Sequence, residues 1–180
     1  MSFLAVKMGG TNGLNPITNK ETRREGKVKI LDYLKEEWVI PGLQGTDKRS
    51  ILKELSNVLV KPCQVGSVDD LLQVLLERER LGSTGIGEGI AIPHGRLKKL
   101  KTFHISFGRS TKGVDFDSID QHPSQLFFLV MAPENSAVDN LKLLGRIVTL
   151  LKDTSFKKRL LEARTQKELF QTISEEDEKY

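Results

Sequence analysis

The residues best suited to chemistry lie in one stretch, Gly82-Ser-Thr-Gly-Ile-Gly-Glu-Gly-Ile-Ala-Ile-Pro-His94-Gly-Arg96. Proline fixes its own φ and drives the preceding Ile92 toward an extended backbone, so His94 should stand at a stiff strand end, with Gly95 letting the chain leave. A histidine held this way can carry a phosphoryl group. One neutral ring nitrogen attacks phosphorus near neutral pH, while the other donates a hydrogen bond that fixes the tautomer. The N–P bond formed is labile and its transfer reversible. On residue types alone, however, a histidine after proline serves structure about as often as function.

A phosphoryl group in transfer spreads negative charge over its oxygens, and catalysis consists mostly of placing donors and cations around it. The hydroxyls of Ser83 and Thr84, the backbone N–H groups around Gly85, Gly87 and Gly95, and the guanidinium groups of Arg78 and Arg96 are the candidates. Taken alone, the glycines read as a tight connection, and Arg78 as one half of a surface ion pair worth about 0.3–0.5 kcal/mol. The loop fits neither common nucleotide fingerprint: it lacks the Lys-Ser/Thr ending of a P-loop, and the third glycine that would follow Gly85 and Gly87 falls on Ile90. Nucleotide binding is disfavoured. His104 and His122 read as structural.

Composition narrows the function classes. The 180-residue chain suits one domain, and its net charge of +4 is matched by the excess of six basic over two acidic residues up to Lys29. The remainder is neutral, so the body of the protein offers no footprint for nucleic acid. With Cys63 the only cysteine, a disulfide within the chain and a thiolate-cluster metal site are excluded. We expect no metal and no cofactor. No apolar run approaches the roughly 18 residues of a membrane span, so no membrane insertion and a cytoplasmic location are expected.

The elements that must position His94 follow from periodicity. Residues 1–27 are polar, basic and glycine-bearing and read as a flexible tail; residues 175–180 read as a solvated acidic tail. Between them, Ile51, Leu52, Leu55, Val58 and Leu59 mark a helix begun near Thr46-Asp47. Ser67 and Asp70 form a capping box for a second, carrying Leu71, Leu72, Leu75 and Leu76 until Gly82 ends it. Phe103, Ile105 and Phe107 alternate with His104 and Ser106, as in a strand with one face on the core. Leu126-Phe-Phe-Leu-Val-Met131 should be a central strand covered on both faces. Leu141, Leu144, Val148 and Leu151 mark a further helix, and Thr165-Gln-Lys-Glu168 caps the last. The expected fold is α/β (α+β): one domain, with a small mixed β-sheet flanked by helices on both faces.

The run from Arg78 through Gly82-Ser-Thr-Gly-Ile-Gly-Glu-Gly-Ile-Ala-Ile-Pro-His94 to Gly95 resembles the active-site segment of enzyme IIA of the fructose/mannitol type, from the phosphoenolpyruvate-dependent phosphotransferase system, above all its nitrogen-regulatory branch. The likeness extends over most of residues 28–174 and includes Phe127-Phe-Leu-Val-Met-Ala-Pro133 and Lys167-Glu-Leu-Phe170. It implies a phosphoryl group carried on Nε2 of His94, with Arg78 as a catalytic cation. The donor would be a histidine phosphocarrier of the HPr type, and the target a regulated kinase, transporter or enzyme IIB. The family usually places a second histidine beside a leucine early in the helix after the apolar strand. This chain has Asn140 there, before Leu141. Asn140 can hydrogen-bond to His94 or its phosphate but cannot carry positive charge, a change that suits slow signalling better than fast sugar uptake. The alternatives are a binding module that works without phosphorylation and a sugar-specific enzyme IIA that passes phosphate to an enzyme IIB.

Overall fold

The computed structural model describes residues 28–179; the expected tail at 1–27 and the terminal Tyr180 lie outside the described residues. A single 3₁₀ turn, Ile30–Asp32, leads into strand β1 (Leu34–Ile40), followed by helices α1 (Lys48–Asn57) and α2 (Val68–Glu79). Three short strands, β2 (Gly85–Gly87), β3 (Ile90–Ala91) and β4 (His94–Leu97), precede the long β5 (His104–Val114) and β6 (Ser124–Pro133). Helices α3 (Ala137–Leu151), α4 (Thr154–Glu162) and α5 (Gln166–Lys179) close the chain.

The six strands form one mixed sheet with β6 at its centre. On one side β6 pairs antiparallel with β5, and beyond β5 lies β1, parallel to it. On the other side β3 and β4 follow one another along β6, both parallel, and β2 pairs antiparallel with β3. The apolar run Leu126–Met131 is buried throughout, because helices cover both faces. In β5, Ser106 Oγ donates to the Leu55 carbonyl of α1, whereas Arg109 reaches the Leu160 and Leu161 carbonyls of α4. Successive strand residues point to opposite faces. Helices α1 and α2 pack together on the first face, and α4 covers the second between α3 and α5.

The helix starts lie where the sequence puts them. Asp47 caps α1 by accepting from Ser50 N at 2.9 Å, Ser67 and Asp70 cap α2 reciprocally, and Thr165 Oγ1 accepts from Glu168 N at 3.1 Å ahead of α5.

Three readings are corrected, and one strand is added. Strand β5 has both faces on the core rather than one, and Ser106 is buried with its hydroxyl satisfied. Strand β1 is the added one: Lys35-Glu-Glu37 breaks any alternation that would mark it in the sequence, and Leu34, Trp38 and Val39 are its buried residues. The inner face of α3 is Asn140, Leu143, Ile147, Leu150 and Leu151, one step round from the expected stripe, and Leu141 is 73% exposed. Finally, Glu175 to Lys179 belong to α5 rather than to a solvated tail. Asp177 is buried, accepting from Arg146 Nε at 2.5 Å and from Leu31 N at 3.0 Å, and buried Glu176 pairs with Arg159 at 2.5 Å. These carboxylates bind the last helix to α3, α4 and the first turn of the described chain.

Candidate functional site

Strands β3 and β4 keep one register against β6: Ile90 lies opposite Leu126, Ala91 opposite Phe127 and His94 opposite Val130. Only the strand bonding of Ile92-Pro93 is interrupted. Proline has no N–H to give to the ladder, but its carbonyl still accepts from Val130 N at 2.9 Å, so the chain resumes its course and places His94 at the start of β4. Gly95 therefore continues the strand opposite Met131 rather than releasing the chain. Its lack of a side chain serves packing: a Cβ there would lie 2.7 Å from Val74 Cγ1 on α2.

Both ring nitrogens of His94 are engaged. Nδ1 lies 2.8 Å from the Ile92 carbonyl oxygen, which can only accept, so the proton sits on Nδ1. The lone pair is on Nε2, where Arg78 Nε donates at 3.1 Å. Burial holds the imidazole below its ordinary pKa; the Ile92 bond and Glu79 raise it, and the Arg78 and Arg96 cations lower it. The ring is thus kept neutral with its nucleophilic nitrogen defined.

Two open cavities meet at His94. One, of about 170 Å³, runs between Arg78, Ser83, Thr84, Ile86 and Ile92 on one side and Leu144 and Val148 of α3 on the other. The second, of about 280 Å³, is bounded by Val74, Glu77, Arg78, Leu81, Gly95, Arg96 and Asn140. Asn140 is 6% exposed, and its Oδ1 has no hydrogen-bond partner. Leu81, which bounds this cavity, is exposed, and on α3 so are Val138 and Leu141, neighbours of Asn140 in the chain.

Of the expected residues, His94, Arg78, Ser83, Thr84, Arg96 and Asn140 are brought together, and Gly95 lies beside them. Gly85 and Gly87 are not part of an anion cradle. The Gly85 N–H is spent on Ser83 Oγ at 3.1 Å, and a Cβ on Gly87 would lie 3.0 Å from the Asp120 carboxylate, a poor neighbour for an anion. They shape β2 instead. The hydroxyls of Ser83 and Thr84 are also committed, to the Phe116 carbonyl at 2.7 Å and to Glu79. Sequence reasoning missed Glu79, whose one signal is its place beside Arg78, and the apolar cavity walls Leu144 and Val148. Elsewhere, His104 packs edge-on against Trp38, His122 is exposed, and burial pushes the Cys63 thiol up to about 12.

A central mixed sheet that holds a half-buried histidine, its Nδ1 on a backbone carbonyl and its Nε2 on an arginine, defines a small α/β protein with one imidazole at the meeting of two cavities. Residues 32–176 match the family described as phosphoenolpyruvate-dependent sugar phosphotransferase system, EIIA 2, and the chain belongs to that family. It is similar to a nitrogen regulatory protein of Bradyrhizobium diazoefficiens, 36% identical over 147 residues covering 81% of this chain and 94% of the relative. The fructose-specific EIIABC component of Bacillus subtilis is 34% identical over 150 residues, 83% of this chain but 24% of that larger protein. Among solved structures, nitrogen regulatory protein IIA-Ntr from Neisseria meningitidis has a TM-score of 0.75 at 28% identity, covering 79% of this chain and 97% of that one. The Escherichia coli mannitol enzyme IIA, solved in complex with phosphorylated enzyme IIB, shares the fold with a TM-score of 0.65 at 23% identity, over 79% of this chain and 99% of that one. Among the described residues, no helix is long and apolar enough to cross a membrane.

Proposed function

We propose that this protein accepts a phosphoryl group on Nε2 of His94 from a histidine phosphocarrier of the HPr type, and that its phosphorylation state acts on a regulated protein such as a kinase or transporter, or is passed to an enzyme IIB. One observation carries the reading: the proton of His94 is fixed on Nδ1 by Ile92, which leaves the Nε2 lone pair facing the cavities. In the step, that lone pair forms the new N–P bond as the donor's N–P bond breaks, and the released electron pair returns to the donor imidazole. The Nδ1 proton stays in place, and the Ile92 carbonyl supports the positive charge growing on the ring.

Arg78 Nε–H leaves Nε2 as phosphorus approaches, and its guanidinium takes phosphoryl oxygens instead, with Arg96 as a second cation and Asn140 as a neutral donor. Ser83 and Thr84 act as wall and scaffold, since their hydroxyls are already bonded. The exposed apolar side chains of Leu81, Val138 and Leu141 suit a protein donor better than a small molecule. Because Asn140 cannot become cationic, onward transfer is slow, which favours signalling. This reading puts the protein in the cytoplasm.

The test is incubation with phosphoenolpyruvate, the general phosphotransferase enzyme and its phosphocarrier. Acid-labile phosphate on the wild type and none on His94→Ala is expected. An unlabelled wild type, or an equally labelled variant, contradicts the proposal.

A further inference from the structure

Beyond the residues lining the cavities, an unbroken series of polar contacts joins α1 to the ring of His94. Lys48 Nζ donates to the Glu79 carboxylate at 3.0 Å, and that carboxylate is only 6% exposed. Glu79 also accepts from Thr84 N, at 3.2 Å to one oxygen and 3.3 Å to the other, and from Thr84 Oγ1. The Thr84 carbonyl accepts from Ile92 N at 3.0 Å. The Ile92 carbonyl then accepts the Nδ1 proton of His94 at 2.8 Å. Neighbouring residues of α2 thus hold both ends of the loop before β2: Arg78 Nη1 donates to the Gly82 carbonyl at 3.0 Å, and Glu79 holds Thr84. Lys48 makes two further contacts, with Asp117 at 2.7 Å and over the Phe116 ring at 4.8 Å.

We propose that Lys48 and Glu79 are positioning residues for His94, fixing its tautomer through Thr84 and the Ile92 carbonyl without touching the phosphoryl group. A carboxylate this buried keeps its charge only if it is paired and hydrogen-bonded. Lys48 supplies the cation and Thr84 the donors. Without Lys48, Glu79 loses its cation and turns toward water, and Thr84 loses its acceptor. Thr84 then shifts, the Ile92 peptide follows, and the Nδ1–H tautomer loses its acceptor. Misplacement of a reacting group by about 1 Å can cost about 10²-fold in rate.

The inference rests on the proposed role of His94, but its main readout does not. The ring tautomer is read directly from the imidazole nitrogen shifts of ¹⁵N-histidine-labelled protein, with no phosphorylation involved. In Lys48→Met the Nδ1–H form should give way to a mixture of tautomers, and phosphoryl uptake should slow about tenfold or more with the KM for the donor unchanged. Lys48→Arg should restore both. Thr84→Val, which keeps the side-chain volume and the backbone N–H, should shift the tautomer in the same direction, and it serves as the test if Lys48→Met does not fold. A wild-type tautomer in Lys48→Met, or in Thr84→Val where that stands in, overturns the inference even if uptake is slowed. An unlabelled wild type with the tautomer shift present would instead sink the phosphoryl-carrier reading and leave this one standing.

Discussion

Arg78 Nε lies 3.1 Å from Nε2 of His94 and donates to it, so the cation that would steady an incoming phosphoryl group masks the nucleophile at rest. The geometry separates the two ring nitrogens by role. Nδ1 is tied to the backbone, and in the proposed mechanism Nε2 is released when Arg78 exchanges a nitrogen partner for phosphoryl oxygens.

That exchange makes Arg78 more than a neighbour. Arg78→Ala should slow phosphoryl uptake from the phosphocarrier by about 10²-fold, the scale seen when one donor to developing negative charge is removed. Arg78→Lys should recover only part, because a lysine ammonium cannot grip two oxygens in a fixed fork. Single-turnover labelling distinguishes the three proteins, and equal rates would remove Arg78 from the mechanism.

The lowered pKa of His94 has two consequences for pH. The nucleophile stays neutral below the ordinary histidine value of about 6.5, so uptake at saturating donor should be level from pH 7.5 to about 6.5 and fall only at lower pH. The stability effect has a definite sign. Between the unfolded and folded pKa values the unfolded chain binds more protons, so the contribution of neutral His94 is fully present above the unfolded value and is lost as pH falls toward and through the folded one. Urea denaturation should show a shallower acid decline for His94→Gln than for wild type. His104, lowered mainly by its own burial, is present in both proteins and drops out of the comparison.

Asn140 sets function against stability. Its buried Oδ1 lacks a partner, so Asn140→Leu, of the same branched shape and with a cavity beside it, should leave stability unchanged or raise it by about 1 kcal/mol while slowing uptake. Asn140→His should speed transfer of the phosphoryl group out of the protein. Denaturation curves and the decay of labelled protein in the presence of an acceptor measure the two effects. Wild-type uptake and decay in both variants would exclude Asn140 from the site.

The last helix is held by charges that the sequence shows only as an acidic run. Asp177→Ala leaves Arg146 and the Leu31 N–H without their partner and should cost about 3–5 kcal/mol, whereas Glu178→Ala, at an exposed position, should cost little. Urea midpoints of the two variants provide the check. Equal midpoints would return this segment to the status of a solvated tail.

These residues show what can and cannot be read from a sequence. Helix starts were legible because capping is local: Asp47 with Ser50, and Ser67 with Asp70, need only three residues' reach. The buried run of β6 was legible because burial on both faces erases alternation. Glu176 and Asp177 were not, because their partners Arg159 and Arg146 lie far back in the chain and only the packed fold brings them close. The glycine loop was misread in part for the same reason. Its composition permits an anion cradle, but the neighbours that decide the matter, Ser118 and Asp120, come from the connection between β5 and β6. His94, Arg78 and Asn140 were found through a resemblance in their surrounding residues. The Nδ1–H tautomer on which the proposed chemistry of His94 rests depends on the carbonyl of Ile92, whose placement only the folded chain reveals.

The central claim is that Nε2 of His94 takes the phosphoryl group, and the most direct measurement is NMR of ¹⁵N-histidine-labelled protein after phosphorylation by the phosphocarrier. ³¹P coupling is expected at one ring nitrogen, Nε2 of His94, with Nδ1 still protonated. Phosphorus bound to Nδ1 of His94, or to His104 or His122 with His94 unmodified, would contradict it.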